Sequence, residues 1–249
     1  IVGRPNVGKS TLLNHLLGQK ISITSRKPQT TRHRVLGIKT EADHQIIFVD
    51  TPGLHKDADK AINRYMNRAA SAAIRDVDLV VFVVDRTAWT EEDAMVLEQI
   101  RQGGLPCLLV VNKVDLLEDK TSLLPHLQAL AGKMDFAAIL PVSALRRHNV
   151  AELEREILKF LPHSEHFFPE DQITDAPLRR LAAEITREKL YSRLHQELPY
   201  RSTVETDRWK ELADGSTRIE QTIYVERESQ RKIVLGKGGQ TIKSIGSAA

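Results

Sequence analysis

The chain has 249 residues, 41% of them hydrophobic and 28% charged, with a formal net charge of +3 and one cysteine. That length makes one large or two ordinary domains with enough apolar content for packed cores, and the lone Cys107 excludes a disulfide framework and fits a reducing compartment. No run of eighteen apolar residues occurs, nor a charged start followed by an apolar stretch, so neither a membrane span nor a signal peptide is expected in this sequence.

The chain opens at Ile1, two residues before a phosphate-loop pattern. A complete nucleotide-binding sheet needs most of another strand there, so the first strand is expected to be largely missing. Gly3-Arg-Pro-Asn-Val-Gly-Lys9-Ser10 is a GxxxxGKS pattern. Its backbone N–H groups curl toward phosphates, Lys9 reaches the β and γ oxygens, and the Ser10 hydroxyl reaches Mg²⁺. Val35 to Thr40 and His44 to Val49 read as paired strands, leading into Asp50-Thr-Pro-Gly53. Leu79 to Val84, Leu105 to Val111 and Ala137 to Val142 read as further strands, the first two fully buried, with Cys107 a small residue inside the second. Helical patterns near 60–75, 91–102, 122–132 and 149–160 lie between them, so a mostly parallel sheet is expected. After the second buried strand comes Asn112-Lys113-Val-Asp115. A carboxylate such as Asp115 accepts two hydrogen bonds from the N1–H and amine of guanine, whereas adenine would leave it buried and unpaired. The three ordered motifs therefore point to a GTP-binding switch.

Residues 161–177 break periodicity with three prolines and read as a linker. Beyond it, Leu178 to Leu194 has helical spacing, with Leu178, Leu181, Ile185, Leu190 and Leu194 able to share one face. Thr203 to Trp209 and Thr217 to Glu226 flank the turn signal Ala213-Asp-Gly-Ser216. A short helix over Ser229 to Leu235, the loop Gly236-Lys-Gly-Gly239 and a helix from Gln240 complete an α-β-β-α-GxxG-α order. Such a loop can clamp a single-stranded backbone, the device of a KH domain. Ile233, Val234, Leu235, Ile242 and Ile245 are expected to line an apolar groove for bases. Residues 178–249 carry a net +4 against −1 for residues 1–177, and Arg227, Arg231, Lys232, Lys237 and Lys243 face only Glu228. That basic excess suits RNA, although a solvated basic face would have the same composition. Trp89 and Trp209 read as packing residues rather than stacking platforms.

The chain resembles the Era family of bacterial GTPases, which join a Ras-like domain to a KH domain of the second topology. The resemblance covers nearly the whole chain. It rests on the phosphate loop, Arg26-Lys-Pro-Gln-Thr-Thr-Arg-His33, Asp50-Thr-Pro-Gly-Leu-His55, Val142-Ser-Ala144, Phe168-Pro-Glu-Asp171, Glu197-Leu-Pro-Tyr200 and Val225-Glu-Arg-Glu228. It implies a P-loop domain over 1–161, a linker over 162–177 and a type II KH domain over 178–249, which would need a longer last helix and a third strand to be complete. It implies GTP hydrolysis, binding of the 3′ end of small-subunit ribosomal RNA, and help in maturing that subunit. Asn6, Val7, Gly8, Lys9, Ser10 and Thr11 would hold phosphates, with Lys9 countering charge on the β–γ bridge. Ser10 and Thr31 would bind Mg²⁺ directly and Asp50 through water, the adjacent Thr30 offering the same hydroxyl as Thr31. Gly53 would present its N–H to the γ-phosphate, so that loss of this phosphate releases both switches, the first being Gln29 to His33. Asn112, Lys113 and Asp115 would hold guanine, with backbone groups of Ser143 and Ala144 on its O6. RNA would meet Arg231, Lys232, Val234, Gly236, Lys237, Gly238, Gly239, Ile242 and Lys243.

One position departs from Ras-like enzymes: Leu54 stands where many GTPases place a water-orienting glutamine. A resemblance to the wider translation-factor-related GTPases, which often use K⁺ where asparagine stands at the position of Asn6, implies K⁺ as a fixed charge near the phosphates. His33 and His55 lie near the switches, but phosphoryl transfer in this class depends mainly on positioning and electrostatics. Alternative readings are an RNA-binding assembly factor with GTP as a structural ligand, a membrane-associated regulatory GTPase, and an ATPase, the last disfavoured by Asn112 to Asp115. The expected setting is cytoplasmic and monomeric, with peripheral contact at the inner membrane a variant.

Overall fold

The computed structural model describes residues 1–25, 27, 30–54, 61–194 and 198–249. Gln29 of the expected first switch, Arg26 and Pro28 of the motif before it, His55 and Glu197 lie outside the described residues. The chain forms two compact units, one of residues 1–22 with 31–175, the other of residues 23–30 with 176–249.

In the first unit the fully buried runs become parallel strands, β3 (Val80–Asp85), β4 (Cys107–Asn112) and β5 (Ala138–Pro141), in the order β3-β4-β5. β1 (Val35–Glu41) and β2 (His44–Asp50) form an antiparallel hairpin. Ile1 and Val2 lie between hairpin and sheet: the Ile1 amine donates to Val49 O at 2.7 Å, and Val2 pairs with Phe82 in parallel. A cavity of about 470 Å³ runs beside this two-residue bridge, lined by Ile46, Phe48, Ile74, Leu79, Val81 and Phe168 among others.

Side chains alternate across a strand, so β3 serves two cores. Val81 and Val83 face α1 (Lys9–Leu17) and α5 (Val150–Leu158), packing with Leu12, Leu13, Leu16, Leu153 and Ile157. Val80, Phe82 and Val84 face α2 (Ala61–Arg75), α3 (Glu91–Gly103) and α4 (Leu123–Ala131), packing with Ala70, Ile74, Val96, Ile100 and Leu130. Helices thus cover both faces of the sheet, as a parallel sheet requires. Each of these buried Val, Leu, Ile and Phe side chains contributes roughly 1.5–3 kcal/mol of transfer free energy. α3 starts where Thr90 and Asp93 exchange hydrogen bonds in a capping box and ends at Gly104 with φ 66°.

The expected linker is not a free tether over most of its length. Gln45 accepts from the N–H groups of Phe167 and Phe168 at 2.9 and 3.0 Å and donates to Phe168 O at 2.9 Å. Ile38 N–H donates to Ile173 O, and Thr174 Oγ1 to Leu36 O. Residues up to Asp175 therefore belong to the first unit, and the irregular composition reflects a segment laid along β1.

The second unit comprises α6 (Leu178–Arg193), the antiparallel β6 (Ser202–Glu211) and β7 (Thr217–Val225), α7 (Glu228–Leu235) and α8 (Gln240–Ala248). Its core is Ala183, Leu190, Leu194, Leu198, Val204, Val234 and Ile245. The expected apolar face of α6 is corrected here. Leu178 and Ile185 are exposed, while Ala183, Thr186, Arg187, Glu188, Leu190 and Tyr191 are buried. Two of the buried polar members have partners from far upstream: Glu188 accepts from Thr24 N–H at 3.1 Å, and Arg187 donates to Thr30 O at 2.5 Å, pairs with Glu184 and lies over the Tyr191 ring, while Thr186 donates to Gln221. Lys27 Nζ donates to Tyr191 O and Leu194 O, capping carbonyls at the end of α6.

Cys107 is 1% exposed, and burial pushes its thiol up from about 9 to about 12. A disulfide reagent at pH 8 should react with the folded chain at least about a thousandfold more slowly than with the chain in denaturant, because only the thiolate attacks. Comparable rates would show that β4 is not enclosed as described.

Candidate functional site

The phosphate loop follows Val2 and enters α1 through Asn6 and Gly8, with φ of 63° and 100°. The loop places Lys9 under its own backbone, where Nζ donates to Gly3 O and Arg4 O, both at 2.9 Å. Burial lowers the Lys9 pKa to about 8, and Asp50 opposes part of that shift. A buried ammonium held by two carbonyls suits an incoming polyphosphate, whose charge would restore what burial removes.

Three oxygens meet beside it. Ser10 Oγ lies 2.9 Å from Thr31 Oγ1 and donates to Asp50 Oδ2 at 2.8 Å, and Thr31 Oγ1 lies 3.4 Å from the same carboxylate. Thr30 is directed elsewhere, its hydroxyl donating to Lys27 O, so the geometry favours Thr31 of the two. Asp50 is fully buried and its Oδ1 has no hydrogen-bond partner among the described residues. Burial pushes the Asp50 carboxyl up while Lys9 and Ser10 pull it down. An all-oxygen set with an orphaned carboxylate atom fits Mg²⁺. Ser22 is a member the sequence analysis missed: its buried hydroxyl donates to Asp50 Oδ2 at 3.2 Å, and nothing in its neighbours' pattern marks it.

Gly53 approaches the phosphate loop closely, since a Cβ there would fall 2.7 Å from Pro5 N. Leu54 points the other way, into the core with Ala70 and Val96, 2% exposed. His33 is exposed, with Nδ1 3.3 Å from the Tyr65 hydroxyl.

On the base side, Asn112 is 1% exposed and ties three loops. Its Nδ2 donates to Val7 O at 2.7 Å and its Oδ1 accepts from Ala144 N–H at 2.9 Å. Lys113, at φ 64°, donates from Nζ to Asn6 O at 2.5 Å. Ser143 Oγ donates to Asp115 Oδ1 at 2.6 Å, orienting the carboxylate expected to read guanine. The backbone N–H groups of Ser143 and Ala144 both have protein acceptors here, His148 O and Asn112 Oδ1, so their expected contact with guanine O6 requires sharing those bonds.

In the second unit the GxxG loop has the required backbone: Gly236, Gly238 and Gly239 take φ of 71°, 59° and 76°. A Cβ on Gly236 would fall 2.1 Å from Thr241 Oγ1. Arg231, Lys232, Lys237 and Lys243 are exposed around the loop, Arg231 pairing with Glu228 at 3.2 Å. Val234 and Ile245 are corrections to the expected groove: at 4% and 1% exposure they form the core, because their helical positions face α6. Ile233 and Leu235 are the exposed apolar residues before the loop, with Ile242 half-buried after it.

A phosphate loop, a buried Mg²⁺-type oxygen cluster and an NKxD loop on a parallel sheet define a guanine-nucleotide-binding P-loop protein, here joined to a KH fold. Residues 1–113 match the family model for 50S ribosome-binding GTPases and residues 197–249 that for KH domains. GTPase Era of Azotobacter vinelandii is 60% identical over 249 residues, spanning 100% of this chain and 83% of its own length. GTPase Era of Ectopseudomonas mendocina is 60% identical over 250 residues, with the same shares. Among solved structures, Era in complex with MgGDPNP and nucleotides 1506–1542 of 16S ribosomal RNA superposes with a TM-score of 0.94 at 40% identity, covering 99% of this chain and 84% of that one. An Aquifex aeolicus Era variant bound to GDP·AlF₄⁻ gives 0.95 at 40% identity with the same coverage. The chain belongs to the Era family of GTPases.

Asp115→Asn preserves an acceptor for Ser143 but replaces one guanine acceptor with a donor. GTP affinity should fall at least about a hundredfold while xanthosine triphosphate binding rises, measured by competition against a fluorescent GDP. Unchanged preference would remove Asp115 from base reading.

Proposed function

We propose that this chain is a GTP-hydrolysing switch that binds the 3′ end of small-subunit ribosomal RNA and assists maturation of that subunit in the cytoplasm. The observation that carries it is one chain holding both a Ser10–Thr31–Asp50 oxygen cluster beside Lys9 and a left-handed GxxG loop ringed by exposed cations. A relative solved with a 16S ribosomal RNA segment supports the choice of RNA. No observation favours the membrane-facing alternative, and no helix among the described residues is long and apolar enough to cross a bilayer.

Bound GTP and Mg²⁺ supply the phosphoanhydride and the divalent charge that draws its oxygens together. The protein's part is positioning. Lys9 counters charge building at the β–γ bridge, from an ammonium already fixed by Gly3 O and Arg4 O. Ser10 and Thr31 present hydroxyls to the metal, and Asp50 acts on it through water while orienting Ser10. Gly53 brings its N–H toward the γ-phosphate in the space that its missing Cβ leaves beside Pro5. Loss of that phosphate would remove the ligand contacts of Thr31 and Gly53 and leave Thr31 only its bonds to Ser10 and Asp50, which gives the site two states. In the second unit, the Gly236 to Gly239 backbone admits a phosphodiester backbone, Arg231, Lys232, Lys237 and Lys243 neutralise it, and Ile242 offers apolar surface to a base.

Leu54, buried in the core, does not orient the attacking water. K⁺ held near Asn6, on the phosphate loop, would supply the positive charge that other GTPases take from an arginine. Hydrolysis is expected to be at least about tenfold faster in K⁺ than in Na⁺ at equal ionic strength, and equal rates would remove K⁺ from the mechanism.

The proposal as a whole is tested by binding a short single-stranded RNA of the small-subunit 3′ end in the presence of a GTP analogue or GDP. The comparison protein is Gly238→Asp, which places an anion in the clamp where a Cβ meets nothing within 4 Å, with Gly238→Asn as the neutral control that carries the same strain at φ 59°. Nucleotide-dependent binding weakened at least about tenfold by the substitution is expected. Binding indifferent to the substitution would detach the GxxG loop from RNA.

A further inference from the structure

Asp85 is the last residue of β3 and belongs to none of the nucleotide motifs. It pairs in register with Asn112, and the chain turns sharply after it: Arg86 N–H donates to Asn112 O at 2.9 Å, Arg86 takes φ 45°, and Ala88 N–H returns to Asp85 O. This turn leaves the carboxylate at the tips of β3 and β4, its side chain 10% exposed. Lys113 Nζ lies 2.8 Å from Asp85 Oδ2, Arg86 Nε 2.8 Å from Oδ1, and Arg4 Nη2 4.0 Å from Oδ2. Arg4 is held a second time by Asp93, buried at the start of α3, at 3.1 Å. One carboxylate thus touches the phosphate loop through Arg4 and the base-reading loop through Lys113.

Two residues on those loops hold left-handed backbone without being glycine, Asn6 at φ 63° and Lys113 at φ 64°. Such conformations persist only where surroundings over-determine them. Here the Lys113 ammonium spans both loops, donating to Asn6 O at 2.5 Å while paired with Asp85. Without that carboxylate, a flexible lysine would have one partner and a solvated alternative, and the spacing between Asn6 and Asp115 would loosen. Burial would push the Asp85 carboxyl up, but hydrogen bonds from Lys113 and Arg86 hold it below its ordinary value, so it is an anion at neutral pH.

We propose that Asp85 is a positioning residue for guanine nucleotide, fixing the Lys113 ammonium on the Asn6 carbonyl and thereby setting the distance between the phosphate loop and the base-reading loop. The inference rests on the guanine-nucleotide reading of this site. Because Asp85 acts through Lys113 and touches no phosphate, its effect falls on how long nucleotide stays bound and not on the chemical step.

The test is stopped-flow dissociation of fluorescent GDP from the wild-type protein, Asp85→Asn and Asp85→Glu, with kcat at saturating GTP and thermal unfolding of the nucleotide-free proteins alongside. Asp85→Asn should release GDP about tenfold faster or more, with kcat and unfolding temperature close to wild type, and Asp85→Glu should recover most of the loss. Release within about twofold of wild type, or kcat, release and unfolding temperature all shifted with no recovery in Asp85→Glu, would overturn the positioning role. A wild-type protein that does not bind GDP would instead overturn the nucleotide reading itself.

Discussion

The nucleotide site is organised by one buried amide. Asn112 has both of its polar ends satisfied inside the protein, by Val7 O and Ala144 N–H, so it joins the phosphate loop and the Ser143-Ala144 loop to the end of β4. Loops otherwise tend toward mobility, and three of them meeting in one place require a rigid common reference. The amide also dictates what stands opposite. A Cβ on Gly8 would fall 2.4 Å from Asn112 Nδ2, so this glycine answers to the neighbouring loop as well as to the phosphates. Phosphate recognition and base recognition are therefore packed against each other, and neither loop could be redesigned alone.

Electrostatics follow from that packing. The carboxylates, Asp50, Asp85 and Asp93, sit at low exposure beside Lys9, Lys113 and Arg4. Removing Asp50 or Asp93 would leave Lys9 or Arg4 buried with less compensation, which costs more than the pair itself contributes, whereas Lys113 and Arg86 beside Asp85 keep contact with solvent. Each of these carboxylates has at least one oxygen hydrogen-bonded or paired. Asp50 Oδ1 and Asp93 Oδ1 have no partner among the described residues, and the first lies where the Mg²⁺ chemistry is expected.

Much of this architecture is legible in the residues alone, for a physical reason. β3 and β4 are buried on both faces and read as continuous apolar runs, and the helices between them carry a 3.6-residue pattern. The three nucleotide motifs are local, each confined to a few consecutive residues. Where several segments meet, local reading stops. Thr30 and Thr31 are chemically identical in sequence, and only the convergence of Ser10 and Asp50 separates them. Asp85 sits at the carboxyl end of a parallel strand, the place where ligand crevices form, and this position was the available signal. The helix α6 is legible but its buried face is not, because that face carries Thr186, Arg187 and Glu188, and the last two have partners at Thr24 and Thr30, far upstream. Val234 lies in the core: a residue beside a GxxG loop can face either the groove or the core, and helical phase settles which.

The second unit is discontinuous in sequence. The chain passes between the two units at 22/23, 30/31 and 175/176, although composition suggests a single crossing near the prolines. A fragment cut at the apparent boundary would carry α6 without residues 23–30, exposing Arg187, Glu188 and the carbonyls that Lys27 caps. The RNA-binding part is thus not a separable module in the genetic sense: recombination or truncation at the linker would transfer a helix whose buried ionic face has lost its lining, and Thr24, Lys27 and Thr30, which supply that lining, would stay behind with the nucleotide-binding part.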